Sequence, residues 1–100
     1  MPYLVKVATS KTKGKKYYAL FKMKDGTFKS VSFGAKGYTD YLLSKDKERR
    51  SRYRKRHAKD LLTDTNKKGL GAGALSYWLL WGPTTSLSTN ITLYKKKFNL

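Results

Sequence analysis

A chain of 100 residues has room for one hydrophobic core, and its 39% apolar content predicts a single folded domain over residues 1–100 rather than wholesale disorder. Its 23 lysines and arginines stand against 6 acids, and the resulting net charge of +17 indicates an anionic partner, either a phosphate backbone or an acidic protein surface. Since the sequence has no cysteine and no long apolar segment, we expect no disulfide, thiolate metal site, secretory signal or membrane span.

Residues 3–33 are predicted to form a three-stranded antiparallel β-meander. Tyr3, Val5 and Val7 recur at the two-residue period of a strand with one face turned inward. The Asp25-Gly26 pair predicts a tight hairpin turn between the second and third strands, because such turns need positive φ angles. A sheet this small needs a cover on one face.

The rest of the chain is predicted to be helical. Residues 39–62 form a basic helical segment with one long helix over 46–62, for which Ser44 is a plausible N-terminal cap. The polar, Gly-rich residues 61–73 predict an exposed and mobile loop, and residues 74–98 predict two C-terminal helices. The last helix should present one apolar face, made of Leu87, Ile91, Tyr94 and Phe98. The expected fold class is α+β: a small three-stranded antiparallel meander followed by an Arg-rich helix and two C-terminal helices.

The Arg-rich helix is the strongest functional feature, because all five arginines of the protein fall within eight positions of it. A solvated face is the ordinary explanation of a charge run, but clustered guanidinium groups indicate fixed, bidentate contacts to phosphate or carboxylate. Helical spacing places Arg49, Arg52 and Arg56 near one stripe and puts Tyr53 and His57 beside it. The predicted anion- or partner-binding residues are Arg49, Arg50, Arg52, Arg54, Lys55, Arg56, Lys95, Lys96 and Lys97.

Aromatic residues form a second feature. In the meander Tyr17, Tyr18, Phe21 and Phe28 interleave with lysines. This pattern is found in sheets that stack nucleic-acid bases, but it is more often that of a core whose edges carry solubilising lysines. Elsewhere, the predicted interface or core aromatics are Tyr53, Tyr77, Trp78, Trp81 and Phe98.

The sequence does not predict an enzyme. His57 is the single histidine, and the six acids are scattered and mostly adjacent to Lys or Arg. We therefore expect no catalytic residue, no metal site, no cofactor and no small-molecule substrate.

Two stretches carry a resemblance to a known family. The first runs from Phe33-Gly34-Ala35-Lys36-Gly37 to Arg52-Tyr53 and Arg56-His57, and the second contains Leu79-Leu80-Trp81. Together they resemble a family of short basic proteins of large nucleocytoplasmic DNA viruses of eukaryotes, over about two thirds of the chain, from Phe33 to the C-terminus. The resemblance implies a viral product, either a minor component of the capsid or a basic protein of the packaged genome.

The leading hypothesis is accordingly a non-enzymatic virion structural protein, a minor capsid component that cements the shell from inside through basic and aromatic surfaces. Its partners would be the major capsid protein and other virion proteins. It would lie on the inner side of the capsid, after assembly in the host cytoplasm or nucleus. The alternative is a sequence-nonspecific nucleic-acid-binding protein that condenses or protects viral DNA through phosphate contacts.

Overall fold

The computed structural model of the chain describes residues 2–100, in which an antiparallel sheet precedes a set of helices. The strands, in the order β1-β2-β3, are Tyr3–Thr9, Lys15–Lys22 and Phe28–Ala35. The α-helices are α1 (Tyr41–Ser44), α2 (Lys47–His57), α3 (Asp64–Lys67), α4 (Ala72–Leu75) and α5 (Leu87–Phe98). A 3₁₀-helix, Ala58–Leu62, follows α2, and a π-helix, Ser76–Leu80, follows α4. The α+β fold class is confirmed.

The two faces of the sheet differ in burial. Leu4, Phe21 and Phe33 are at most 2% exposed and join the core formed with the C-terminal helices. On the opposite face, Tyr3 and Phe28 are 47% and 62% exposed. The sheet is thus covered on one side, as its small size requires.

Strand β1 departs from the predicted alternation. Tyr3, Val5 and Val7 were expected on one inward face, but the register shifts between Leu4 and Lys6. An extra residue at such a bulge reverses the facing of everything that follows it. Val7 therefore packs against the core, whereas Tyr3 and Val5 are exposed, and the expectation that the three share a face is wrong.

Carboxylate caps set the starts of the first two helices. Asp40 caps α1. Asp46 caps α2 by accepting hydrogen bonds from the backbone N–H groups of Glu48 at 3.0 Å and Arg49 at 3.1 Å. Ser44 does not cap α2, since it is the last residue of α1. The long helix predicted over 46–62 has the expected extent, although it tightens to a 3₁₀-helix at its end.

Residues 61–73 are predicted to be an exposed loop, and most of them are exposed, but the segment contains helix α3 and its residues 69–71 are buried. The side chain of Asn66 donates to the Asp60 carbonyl at 2.8 Å and accepts from the Ala74 amide at 2.9 Å. Gly71 is buried, and a Cβ atom at this position would overlap the Asn66 side chain. Close packing, rather than flexibility, therefore accounts for the glycine.

Side chains of helix α5 form hydrogen bonds with the backbone of other segments in the C-terminal half. Asn90 is 1% exposed, and its amide donates to the carbonyls of Leu79 at 2.9 Å and Thr84 at 3.0 Å. The buried hydroxyl of Tyr94 donates to the Gly69 carbonyl at 2.6 Å. The predicted apolar face of the helix is confirmed, since all four of its residues belong to the core or pack against it: Leu87, Ile91, Tyr94 and Phe98.

Candidate functional site

Two arginines of α2 face the interior. Arg50 Nε donates to the Gly82 carbonyl at 2.6 Å, and Arg54 Nη1 donates to the Trp81 carbonyl at 2.9 Å. These carbonyls follow the π-helix, and carbonyl groups at a helix end lack partners within the helix. Arg50 and Arg54 therefore tie α2 to the C-terminal half of the protein.

Arg54 also packs against aromatic rings. Its guanidinium carbon lies 4.2 Å from the ring centroid of Tyr77 and 4.6 Å from that of Trp78. The ammonium group of Lys97 lies 4.6 Å from the same Trp78 ring. Burial lowers the pKa of Arg54, because desolvation penalises the charged form. Trp78 is half-buried and Tyr77 is buried, which places both in the packing between α2 and the C-terminal helices.

The other three arginines face outward into a cleft. Arg49, Arg52 and Arg56 are exposed, and at 100° per residue they fall within about 60° around α2. They line a cleft with a volume of about 910 Å³, to which the sheet contributes Lys15 and Lys16. The stripe expected from helical spacing is thus one wall of a cavity.

The cleft has an aromatic floor. Phe33 and Trp81 are buried, and the ring of Tyr53 stacks on that of Trp81 with centroids 4.5 Å apart and planes 11° from parallel. Burial raises the pKa of Tyr53, and the charge of Asp60 raises it further. Tyr38 also lines the cleft and is 74% exposed, so its ring is free to contact a ligand.

Carboxylates do not neutralise the arginines. Asp40 is 2% exposed and accepts from Lys16 Nζ at 2.7 Å, while Asp60 accepts from His57 Nδ1 at 2.8 Å. Within residues 2–100 these are the two contacts of 4.0 Å or less between a basic side chain and a carboxylate, so no arginine has a carboxylate partner. The cleft therefore carries uncompensated positive charge, chiefly that of three guanidinium groups.

The remaining predicted site residues lie outside the cleft. Lys55 and the three lysines at 95–97 are exposed but do not line it. Conversely, the sequence does not predict Lys15, Lys16 or Tyr38 at the site. They precede α2 by at least nine residues, and only tertiary packing brings them to it. The stretch that carries the resemblance contains Tyr38, and the lysines that interleave with the aromatics of the meander include Lys15 and Lys16.

The interleaved aromatics of the meander divide by face. Tyr17 and Phe21 lie on the core side of β2, where Tyr17 packs against the core and Phe21 belongs to it. Tyr18 alternates with them and faces the other way, as does Phe28 in β3. The core explanation thus accounts for Tyr17 and Phe21 alone.

Two features are absent from the described residues. Across residues 2–100, no group of three or more His, Asp or Glu side chains is placed to hold a metal ion. In the same residues, no helix is long and apolar enough to cross a membrane.

Comparison with known protein families gives a match over about half of the chain. The model of a family of unknown function (DUF5754) matches residues 5–57, a span that contains nearly all of the sheet and the whole of α2. No curated protein and no solved structure matches the chain significantly. The matched span ends at His57, so it includes the three outward arginines and both cleft lysines, but not the helices that complete the cleft.

Proposed function

Since the chain belongs to this family of unknown function, we propose its function from the cleft: it is a non-enzymatic protein that binds nucleic acid through the phosphate backbone without sequence preference. The observation that supports this most is the row formed by Arg49, Arg52 and Arg56, exposed and without carboxylate partners in the described chain. Unpaired guanidinium groups held on one wall of a cleft are suited to bind an anion from outside.

The spacing of the row fits a polymer of phosphates. The Cα atoms of Arg49 and Arg56 are seven residues apart, which corresponds to about 10 Å along the helix axis. A nucleic-acid strand carries one phosphate per roughly 3.4 Å of helix axis, so the row reaches about three of them. Lys15 adds a further positive charge from the sheet. A single small anion would leave most of this charge unused.

Contacts of this kind position a strand without reading its sequence. Arginine and lysine contacts to phosphate carry no base information, and their binding energy comes largely from the release of counterions. We therefore expect similar affinity for unrelated sequences and a steep decrease of affinity with rising salt.

The test is to replace Arg49, Arg52 and Arg56 together by Gln and to titrate a labelled DNA duplex at several salt concentrations. Loss of three charge-assisted contacts should weaken binding roughly hundredfold or more at low salt. The slope of log affinity against log salt should become shallower by about 2.7, or 0.9 for each lost phosphate contact.

A matched control removes the same charge elsewhere. Lys47, Lys59 and Lys67 are exposed and do not line the cleft, so their joint replacement by Gln should lower affinity only slightly. If the lysine variant weakened binding as much as the arginine variant, the diffuse charge of the protein, and not the cleft, would hold the nucleic acid.

A place in a virion shell is a second proposal, because exposed apolar side chains favour contact with a protein partner. Tyr38 and Leu43, on the segment between β3 and α2, are 74% and 69% exposed. Aromatic and aliphatic side chains of this kind are frequent anchors at protein interfaces. Viral origin itself rests on the resemblance of the two sequence stretches.

Quantitative mass spectrometry of full and empty particles separates the proposals: a shell protein stays at a fixed ratio to the major capsid protein, whereas a genome-bound protein leaves with the DNA.

A further inference from the structure

The outer face of the sheet, opposite the core, combines aromatic and basic side chains. Three cross-strand rows of the register lie on it. From one end of the sheet to the other, the rows are Tyr3, Lys22 and Phe28, then Lys6, Leu20 and Ser30, then Ala8, Tyr18 and Ser32. This outer face therefore carries three aromatic rings and two ammonium groups, and none of its nine residues is acidic.

The cations of the outer face lie beside its rings. Lys6 Nζ is 5.8 Å from the ring centroid of Tyr18, and Lys22 Nζ is 5.9 Å from that of Phe28. Phe28 and Tyr3 remain 62% and 47% exposed. Exposed aromatic rings beside cations on a sheet are the combination with which proteins hold single-stranded nucleic acid, because bases stack on the rings and phosphates contact the cations.

We propose that the outer face binds single-stranded nucleic acid, with bases stacked on Tyr3, Tyr18 and Phe28 and with Lys6 and Lys22 contacting the neighbouring phosphates. This inference rests on the proposed function and deepens it. The cleft binds the phosphates of any strand, whereas the outer face selects strands with unpaired bases, whose faces are free to stack.

The dimensions of the outer face suit separate bases. Tyr3 and Phe28 share a row on the two edge strands, which places them about 10 Å apart across the sheet. Tyr18 is four residues from Lys22 along β2, or about 13 Å along the strand. Each ring is thus far enough from the others to stack on a separate base. The bound nucleic acid crosses the sheet and does not follow a single β-strand.

Charge favours this occupant over a second copy of the chain. Face-to-face pairing of two sheets would bring Lys6 and Lys22 of both copies together, in a protein with a net charge of +17. A polyanion relieves this repulsion instead of adding to it.

The experiment compares a triple variant with a double control variant by fluorescence anisotropy at fixed salt. In the first, Tyr3→Leu, Tyr18→Leu and Phe28→Leu remove all three rings but keep apolar side chains. The probes are a labelled oligothymidylate, a DNA duplex of equal length and inorganic polyphosphate. Affinity for the oligothymidylate should fall roughly tenfold for each ring that is lost. Binding of duplex and polyphosphate should stay within about twofold, because these ligands offer no unpaired base.

The control variant, Tyr3→Phe with Tyr18→Phe, keeps every ring and should bind the oligothymidylate like the original protein. Thermal melting of both variants establishes that they are folded. Equal losses for single strand and duplex, or no loss for either, would overturn the inference, as would a dimer in light scattering that the leucine variant dissociates. Failure of the proposed function gives a different result from failure of this inference. If the cleft does not bind phosphate, replacing Arg49, Arg52 and Arg56 will leave the affinity for polyphosphate unchanged.

Discussion

The two faces of helix α2 use the same side chain for different purposes. Arg50 and Arg54 donate to the protein's own carbonyls at 2.6 and 2.9 Å, so their role in the structure is to join α2 to the C-terminal half. Arg49, Arg52 and Arg56 line the cleft and are exposed. A run of arginines along a helix is therefore not a single binding site. Position around the helix axis decides whether a guanidinium group is bound internally or is available to a ligand.

The largest effect should come from the inner pair. Replacing Arg50 and Arg54 by Gln removes two hydrogen bonds from charged donors and leaves carbonyls of the Trp81–Gly82 turn without those partners. We expect the free energy of unfolding to fall by about 3 kcal/mol in urea denaturation. Nucleic-acid affinity, corrected for the folded fraction, should change little.

The matched comparison is the Gln variant of the outward three, which should change stability by less than about 0.5 kcal/mol while losing affinity. If the outward variant were the less stable of the two, the division between the faces would be wrong.

A smaller effect is expected when the outward three are replaced by Lys. The charge is retained, but the planar fork that binds two phosphate oxygens at once is lost. Affinity should fall by roughly tenfold in total, with the salt slope unchanged because the number of released counterions is the same. A loss as large as that of the Gln variant would mean that geometry, more than charge, carries binding.

Tyr53 lies at the boundary between the two faces and allows a test by pH. Since burial and the charge of Asp60 raise its pKa, the phenol ionises in the unfolded chain before it ionises in the folded protein. Its contribution to stability is therefore complete below about pH 10 and is lost as the pH rises toward the folded pKa. Tyr53→Phe keeps the stacked ring and should make the alkaline decrease of the free energy of unfolding shallower. Urea denaturation at several alkaline pH values measures the difference, and an unchanged alkaline decrease would contradict the burial of Tyr53.

Local rules account for much of this architecture. The meander, its Asp25-Gly26 turn and the apolar face of α5 follow from short-range patterns, and they are observed. The bulge in β1 is not predictable in this way, because strict alternation gives no sign of where a register shift occurs. The burial of Gly71 is not predictable from local patterns either. It depends on the Asn66 side chain, which forms hydrogen bonds with the backbone of Asp60 and of Ala74.

The candidate site likewise has one part that the sequence predicts and one part that depends on tertiary packing. Helical periodicity alone places Arg49, Arg52 and Arg56 on one stripe, and the structure has them there. It cannot tell which stripe faces the protein, since the partners of Arg50 and Arg54 are carbonyls about 30 residues further along the chain. Lys15 reaches the cleft through tertiary packing of the same long-range kind.

The smallest effect is expected for the three lysines at 95–97, which the sequence alone places in the binding site. They lie in the last turn of α5, outside the cleft, and Lys97 packs on Trp78. Their replacement by Gln removes as much charge as the variant of the outward arginines, but it removes only a distant field that 0.15 M salt screens within about 8 Å. Affinity should therefore fall by less than about threefold at that salt concentration, with the slope against salt nearly unchanged. An equal loss in the two variants would show that the nucleic acid wraps the whole basic surface, because only direct phosphate contacts on α5 could make these lysines equivalent to the arginines of the cleft.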